Sequence, residues 1–114
     1  MSENLIAQIN EAAAYLKSQF TEQPKVGIIL GTGLGGLVNE ITIEKSIDYR
    51  NIPHFPISTV EGHSGRMIIG KIGRVPVIAM QGRFHYYEGY KMEQVTFPAR
   101  VMKVAGINTL FVSN

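Results

Sequence analysis

The densest run of chemically useful side chains is Gly82-Arg83-Phe84-His85-Tyr86-Tyr87-Glu88-Gly89-Tyr90. Arg83 offers a planar fork of donors matched to a phosphate. In an extended stretch His85 and Tyr87 project on the same face as Arg83. Tyr87 adds an aromatic body and a hydroxyl suited to a sugar. Two readings stay open: a solvated arginine beside a packed histidine, or an anion site with a sugar contact. The crowding of Tyr86, Glu88 and Tyr90 around His85 balances the two, because loops carry a large share of function.

A second candidate is the glycine-rich loop at residues 31–36, with Gly31, Gly33 and Gly36 spaced as G-x-G-x-x-G. Backbone N–H groups in such a loop can face an anion, and the Thr32 hydroxyl can donate to it. A plain tight turn explains the same residues. A nucleotide-dependent oxidoreductase needs a full crossover helix after this loop, then a strand ending in an acid. Asp48 stands at a tolerable distance, but only residues 37–40 precede a β-like segment at Ile41, so an observed strand there dismisses that reading. The loop lacks the Gly-Lys-Ser/Thr of a nucleotide P-loop.

His63 lies in Glu61-Gly62-His63-Ser64-Gly65, a glycine-flanked turn that by itself selects nothing. His54, between Pro53 and Phe55, has no sequence partner and takes a structural reading. His63 and His85 lack a third ligand at metal-site spacing, so no metal is expected.

The elements that must position these residues follow from periodicity. Leu5, Ile9, Ala12 or Ala13, Leu16 and Phe20 predict a helix over most of residues 3–19, with Ser2 as N-cap. Val26–Leu30 is an apolar run expected of a strand covered on both faces. Residues 41–49 alternate loosely and predict a second strand; residues 51–61, with Pro53 and Pro56, predict a loop. Arg66–Ile72 and residues 75–80 predict a hairpin about Gly73-Arg74. Met92, Val95, Ala99 and Met102 mark a helical face that ends at Gly106, with an early kink or ragged first half at Pro98. Thr109–Val112 starts another strand. This order predicts an α/β fold: a mixed central sheet flanked by helices.

Bulk properties exclude several classes. The chain has 114 residues, one small domain's length. Its net charge of +2 is too small to point to nucleic acid. With no cysteine, disulfides and thiolate zinc sites are excluded. No apolar run approaches the ~20 residues of a membrane span, and the N-terminus does not read as a signal peptide. The expectation is a soluble cytoplasmic protein.

Together these segments resemble one family. Gly31-Thr32-Gly33-Leu34-Gly35 is similar to the glycine loop of trimeric purine nucleoside phosphorylases, with Thr32 in place of the usual serine. Ile52-Pro53-His54-Phe55-Pro56 and Val60-Glu61-Gly62-His63-Ser64-Gly65 match the next two signatures. The Gly82–Tyr90 stretch is the most specific motif, and Val95-Thr96-Phe97-Pro98-Ala99-Arg100 and Val112-Ser113-Asn114 follow in order. Methylthioadenosine phosphorylases share the glycine loop but differ at Arg83-Phe84-His85.

The resemblance implies a nucleoside phosphorylase-like fold. It places Thr32, His63, Arg83 and His85 at phosphate-binding positions, His85 also as catalytic residue, and Tyr87 at the ribose. It implies phosphorolysis of purine (deoxy)ribonucleosides to free base and (deoxy)ribose 1-phosphate. Inorganic phosphate is the co-substrate, and neither metal nor organic cofactor takes part. The base-binding residues of that family lie further along a longer chain. Residues 1–114 therefore correspond to the N-terminal part of one such domain, truncated, with the C-terminal half absent and the isolated chain inactive. A homo-oligomer, a trimer in the full-length family, or a complementary chain is the expected partner. The alternative is a non-catalytic remnant that binds anions or a partner chain.

Overall fold

The computed structural model describes residues 3–30, 32–56, 65–82 and 92–112, with the side chains of 32–35 and 92–95 excepted. Helix α1 spans Glu3–Gln19 and buries Ile9, Ala12, Ala13 and Leu16, the stripe its periodicity predicts. Strand β1 is Val26–Leu30. Strands β2 (Thr42–Asp48), β3 (Arg66–Ile72) and β4 (Val75–Gln81) follow, then helix α2 (Met92–Val104) and strand β5 (Thr109–Val112).

The five strands form one mixed sheet in the order β2-β3-β4-β1-β5. β1 pairs in parallel with β4 and with β5, whereas β3 runs antiparallel to both β2 and β4. The hairpin turns at Gly73-Arg74, with Ile72 opposite Val75 and Gly73 at φ 62°, the glycine-first pattern of a type II′ turn.

Alternation along the strands makes two cores. Met67, Ile69, Ile78 and Met80 face α1 and α2, with Tyr49, Phe55 and Phe97 packed among them. Ile28, Leu30, Ile68, Val77 and Ala79 face the other way, with Ile41, Leu37 and Val38 against them. The central strands are thus covered on both faces, as their near-continuous apolar runs require.

Three expectations change. The glycine run is a 3-10 helix, Thr32–Glu40, rather than an open loop. Its Leu37 and Val38 pack on the second core, which makes the tight helical path favourable there. It leads to β2 at the far edge of the sheet, not to a parallel neighbour of β1, so the dinucleotide-binding reading is dismissed. Tyr49–Asn51 forms a short 3-10 turn where a loop begins in the sequence reading. Helix α2 continues through Pro98; of its expected face Met102 is buried and Ala99 half-buried, the side chains of Met92 and Val95 lie outside the described residues, and Phe97, Pro98 and Val101 are buried in addition. Burial of that stripe offsets the hydrogen bond the proline removes.

Helix α2 ends in a Schellman motif. Ile107 N–H donates to the Met102 carbonyl at 3.0 Å and Gly106 N–H to that of Lys103 at 3.2 Å. Gly106 holds φ 100°, which a glycine adopts without a Cβ penalty. Gln23 Nε2 donates to the Ala105 carbonyl at 2.9 Å, satisfying another helix-end acceptor. Ser2, the expected N-cap of α1, lies outside the described residues. No helix of the described residues is long and apolar enough to cross a membrane.

Candidate functional site at the carboxyl edge of the sheet

The topology brings the candidate segments to one edge. β1, β4 and β5 are parallel, so their carboxyl ends lie together. Leu30 pairs with Gln81, and neighbouring strands stand about 5 Å apart. Thr32 therefore follows closely on one strand end and Arg83 on the next. Antiparallel β3 begins at this same edge, with Arg66 opposite Gln81, so His63 shortly precedes the edge. Val112 pairs with Ile29, and Asn114 follows it. Ligand sites of open α/β sheets form outside such carboxyl ends.

Of the sequence candidates, Thr32 opens the 3-10 helix, its side chain not being described. His63, Arg83, His85, Tyr87 and Asn114 lie outside the described residues. The strand ends that deliver them are described, and they converge.

The edge is fastened by residues the sequence reading passed over. Tyr49, directly after β2, is 3% exposed. Its N–H donates to the Gly65 carbonyl at 3.2 Å. Its hydroxyl donates to the carbonyls of Gln81, at 3.4 Å, and Gly82. Burial pushes its phenol well above the ordinary value of 10.0, so it stays a neutral donor. Arg66 Nε donates to Gln81 Oε1 at 2.7 Å, a further tie between β3 and the end of β4. Gly82 takes φ 97°, the backbone region glycine favours, and a Cβ there would meet Gly65 Cα at 3.1 Å. A tyrosine ending a strand beside an acid was the available signal, but only the fold shows what its hydroxyl meets.

Asp48 caps the short turn. Arg50 N–H donates to its Oδ1 at 2.9 Å, and the Arg50 guanidinium holds its carboxyl below the ordinary value. This engagement is local, not the ribose contact of a dinucleotide fold. His54 engages helix α1: its Nε2 is 2.7 Å from Glu11 Oε2, and its backbone sits at φ 63°. Its structural reading thus gains a partner the sequence did not reveal.

Known proteins share this arrangement. The chain is 55% identical to purine nucleoside phosphorylase 1 of Bacillus subtilis over 107 residues, covering 94% of this chain and 40% of that protein. It is similar to the crystal structure of purine nucleoside phosphorylase from Schistosoma mansoni in complex with acetate, with a TM-score of 0.88 and 42% identity. That match covers 96% of this chain and 40% of the other. A purine nucleoside phosphorylase solved with ribose 1-phosphate matches with a TM-score of 0.87 and 42% identity, again over 96% of this chain and 40% of the other. The chain thus spans about 40% of the length of these relatives. The family model described as the phosphorylase superfamily matches residues 25–114, and the chain belongs to that family.

Proposed function

We propose that this chain supplies the phosphate- and ribose-holding part of a purine nucleoside phosphorylase. The observation that supports this reading best is the convergence of the strand ends before Thr32 and Arg83 with the strand start after His63. The relative solved with ribose 1-phosphate supports the same reaction class.

In the proposed reaction the purine leaves C1′ of the (deoxy)ribose while phosphate oxygen approaches from the opposite face. The sugar becomes oxocarbenium-like, and the bond to phosphate completes (deoxy)ribose 1-phosphate. Thr32, His63, Arg83 and His85 hold the phosphate, with His85 acting as the catalytic residue, and Tyr87 faces the ribose. Fixing the nucleophile in this way can lower the barrier by about 7–11 kcal/mol. The phosphate charge also stabilises the developing cation. No metal or organic cofactor enters the scheme. Groups that hydrogen-bond the departing base are assigned to sequence outside residues 1–114, and the working protein to a cytoplasmic homo-oligomer, a trimer.

Phosphate titration of the chain, followed by phosphorus NMR, tests the site. Arg83→Ala should weaken binding roughly tenfold to a hundredfold, the effect of removing a charged hydrogen bond of about 1.5–3 kcal/mol. His54→Ala should leave it unchanged, and equal losses in both variants would remove the assignment. Incubated with inosine and phosphate, the 114-residue chain alone should release no hypoxanthine. Turnover that survives repurification and is lost in Arg83→Ala would show that these residues suffice.

A further inference from the structure

We propose that Tyr49 is a positioning residue for the phosphate site, acting by locking together the roots of the two segments that carry His63, Arg83 and His85. The assignment rests on the functional reading above.

One side chain touches each root. The Phe55 ring, just before residues 57–64, lies 5.4 Å from the Tyr49 ring, centroid to centroid. Gly65, just after that segment, lies against the same ring so closely that a Cβ would fall 2.2 Å from Tyr49 Cε2. The hydroxyl reaches the carbonyls of Gln81 and Gly82, the last described residues before 83–91.

Packing alone does not call for the hydroxyl. The surrounding core of Met67, Met80, Phe55 and Phe97 is apolar, and a phenylalanine would fill the same space. What the hydroxyl adds is a hold on the Gly82 carbonyl. A peptide unit is planar, so fixing that carbonyl fixes the plane in which the chain leaves for Arg83. The Tyr49 N–H holds the Gly65 carbonyl, and with it the peptide plane by which the chain passes from Gly65 into β3. Gly65 and Gly82, from which the two segments extend, are thereby tied to one residue.

The test compares Tyr49→Phe with Phe97→Leu, a substitution in the same core that touches none of these carbonyls. Tyr49→Phe retains the ring and its contacts, so the fold is kept. Inorganic phosphate affinity is read by titration below the unfolding midpoint of each protein. Backbone amide exchange is read at Arg83, whose N–H shares the peptide unit of the Gly82 carbonyl. Tyr49→Phe should weaken phosphate binding about threefold to tenfold, the effect of one hydrogen bond, and speed exchange at the Arg83 amide. Phe97→Leu should lower the midpoint with phosphate affinity unchanged. Equal phosphate affinity in Tyr49→Phe and the unmodified chain, or equal weakening by the two variants, would overturn the assignment. If the unmodified chain bound no phosphate, the functional reading would fall. Exchange would then decide the lock separately: an unchanged rate at the Arg83 amide in Tyr49→Phe would overturn it as well.

Discussion

The β3–β4 hairpin and strand β5 deliver chain to the same sheet edge but are held differently. In the hairpin Met67, Ile68, Ile78 and Ala79 are fully buried, and both faces are packed. In β5 Phe111 and Val112 are each 59% exposed, and the strand is held by its ladder to β1 and by the capped end of α2. Side-chain packing and the ties through Tyr49 and Arg66 set where the hairpin ends; backbone bonding sets where β5 ends. Among the described residues the sheet edge is therefore tied more closely at Gly65 and Gly82 than at Val112.

The largest test of this contrast is truncation in the hairpin. Met80→Ala should cost about 2–5 kcal/mol in urea unfolding, through lost transfer energy and a cavity. Gly65→Ala should cost about 1–3 kcal/mol, because its Cβ would fall 2.2 Å from the ring of the buried Tyr49, which would have to shift. In a Tyr49→Ala background most of that penalty should disappear, and a double-mutant cycle measures the coupling. Simple additivity would show that the glycine and the ring do not share a joint.

On the β5 side, Gly106→Ala should cost about 1–2 kcal/mol by the same assay, since φ 100° penalises a Cβ that would also press on Gln23. Alkaline pH separates the regions again. The Tyr49 phenol is raised in the fold, so the unfolded chain releases its proton first as pH passes 10.0. The stability this group contributes is complete below that value and declines above it. Tyr49→Phe should flatten the alkaline decline measured by denaturant titration, and Phe111→Ser should not alter it. The smallest effect is expected for Phe111→Ser on folding itself, within about 0.5 kcal/mol. Sedimentation should show less self-association in that variant, because it removes apolar surface from an edge strand.

The secondary structure was legible wherever a residue's neighbours in sequence decide its environment. Ile9, Ala12, Ala13 and Leu16 announce α1 by spacing, and Gly73-Arg74 and Gly106 mark a turn and a helix end through backbone preference. The glycine run was harder to read, because its helical path depends on Leu37 and Val38 meeting a core built from β1, β3 and β4. The burial of Phe97 on α2 was hidden for a similar reason: it finds Phe55, at a centroid separation of 5.8 Å, from a segment far away in sequence.

By itself the sequence determined the α-helices and strands, the candidate groups Thr32, His63, Arg83, His85 and Tyr87, and the family those motifs resemble. These rest on local preference and on residue chemistry, which travel with the chain. Only the tertiary structure decided that β2 lies at the far edge, that β4 and β5 flank β1, and that the strand ends beside the candidate segments meet along one side. Strand order is a long-range choice, settled by which apolar faces can be covered together. The role of Tyr49 belongs to the same class, because the carbonyls its hydroxyl meets stand 32 and 33 residues away along the chain.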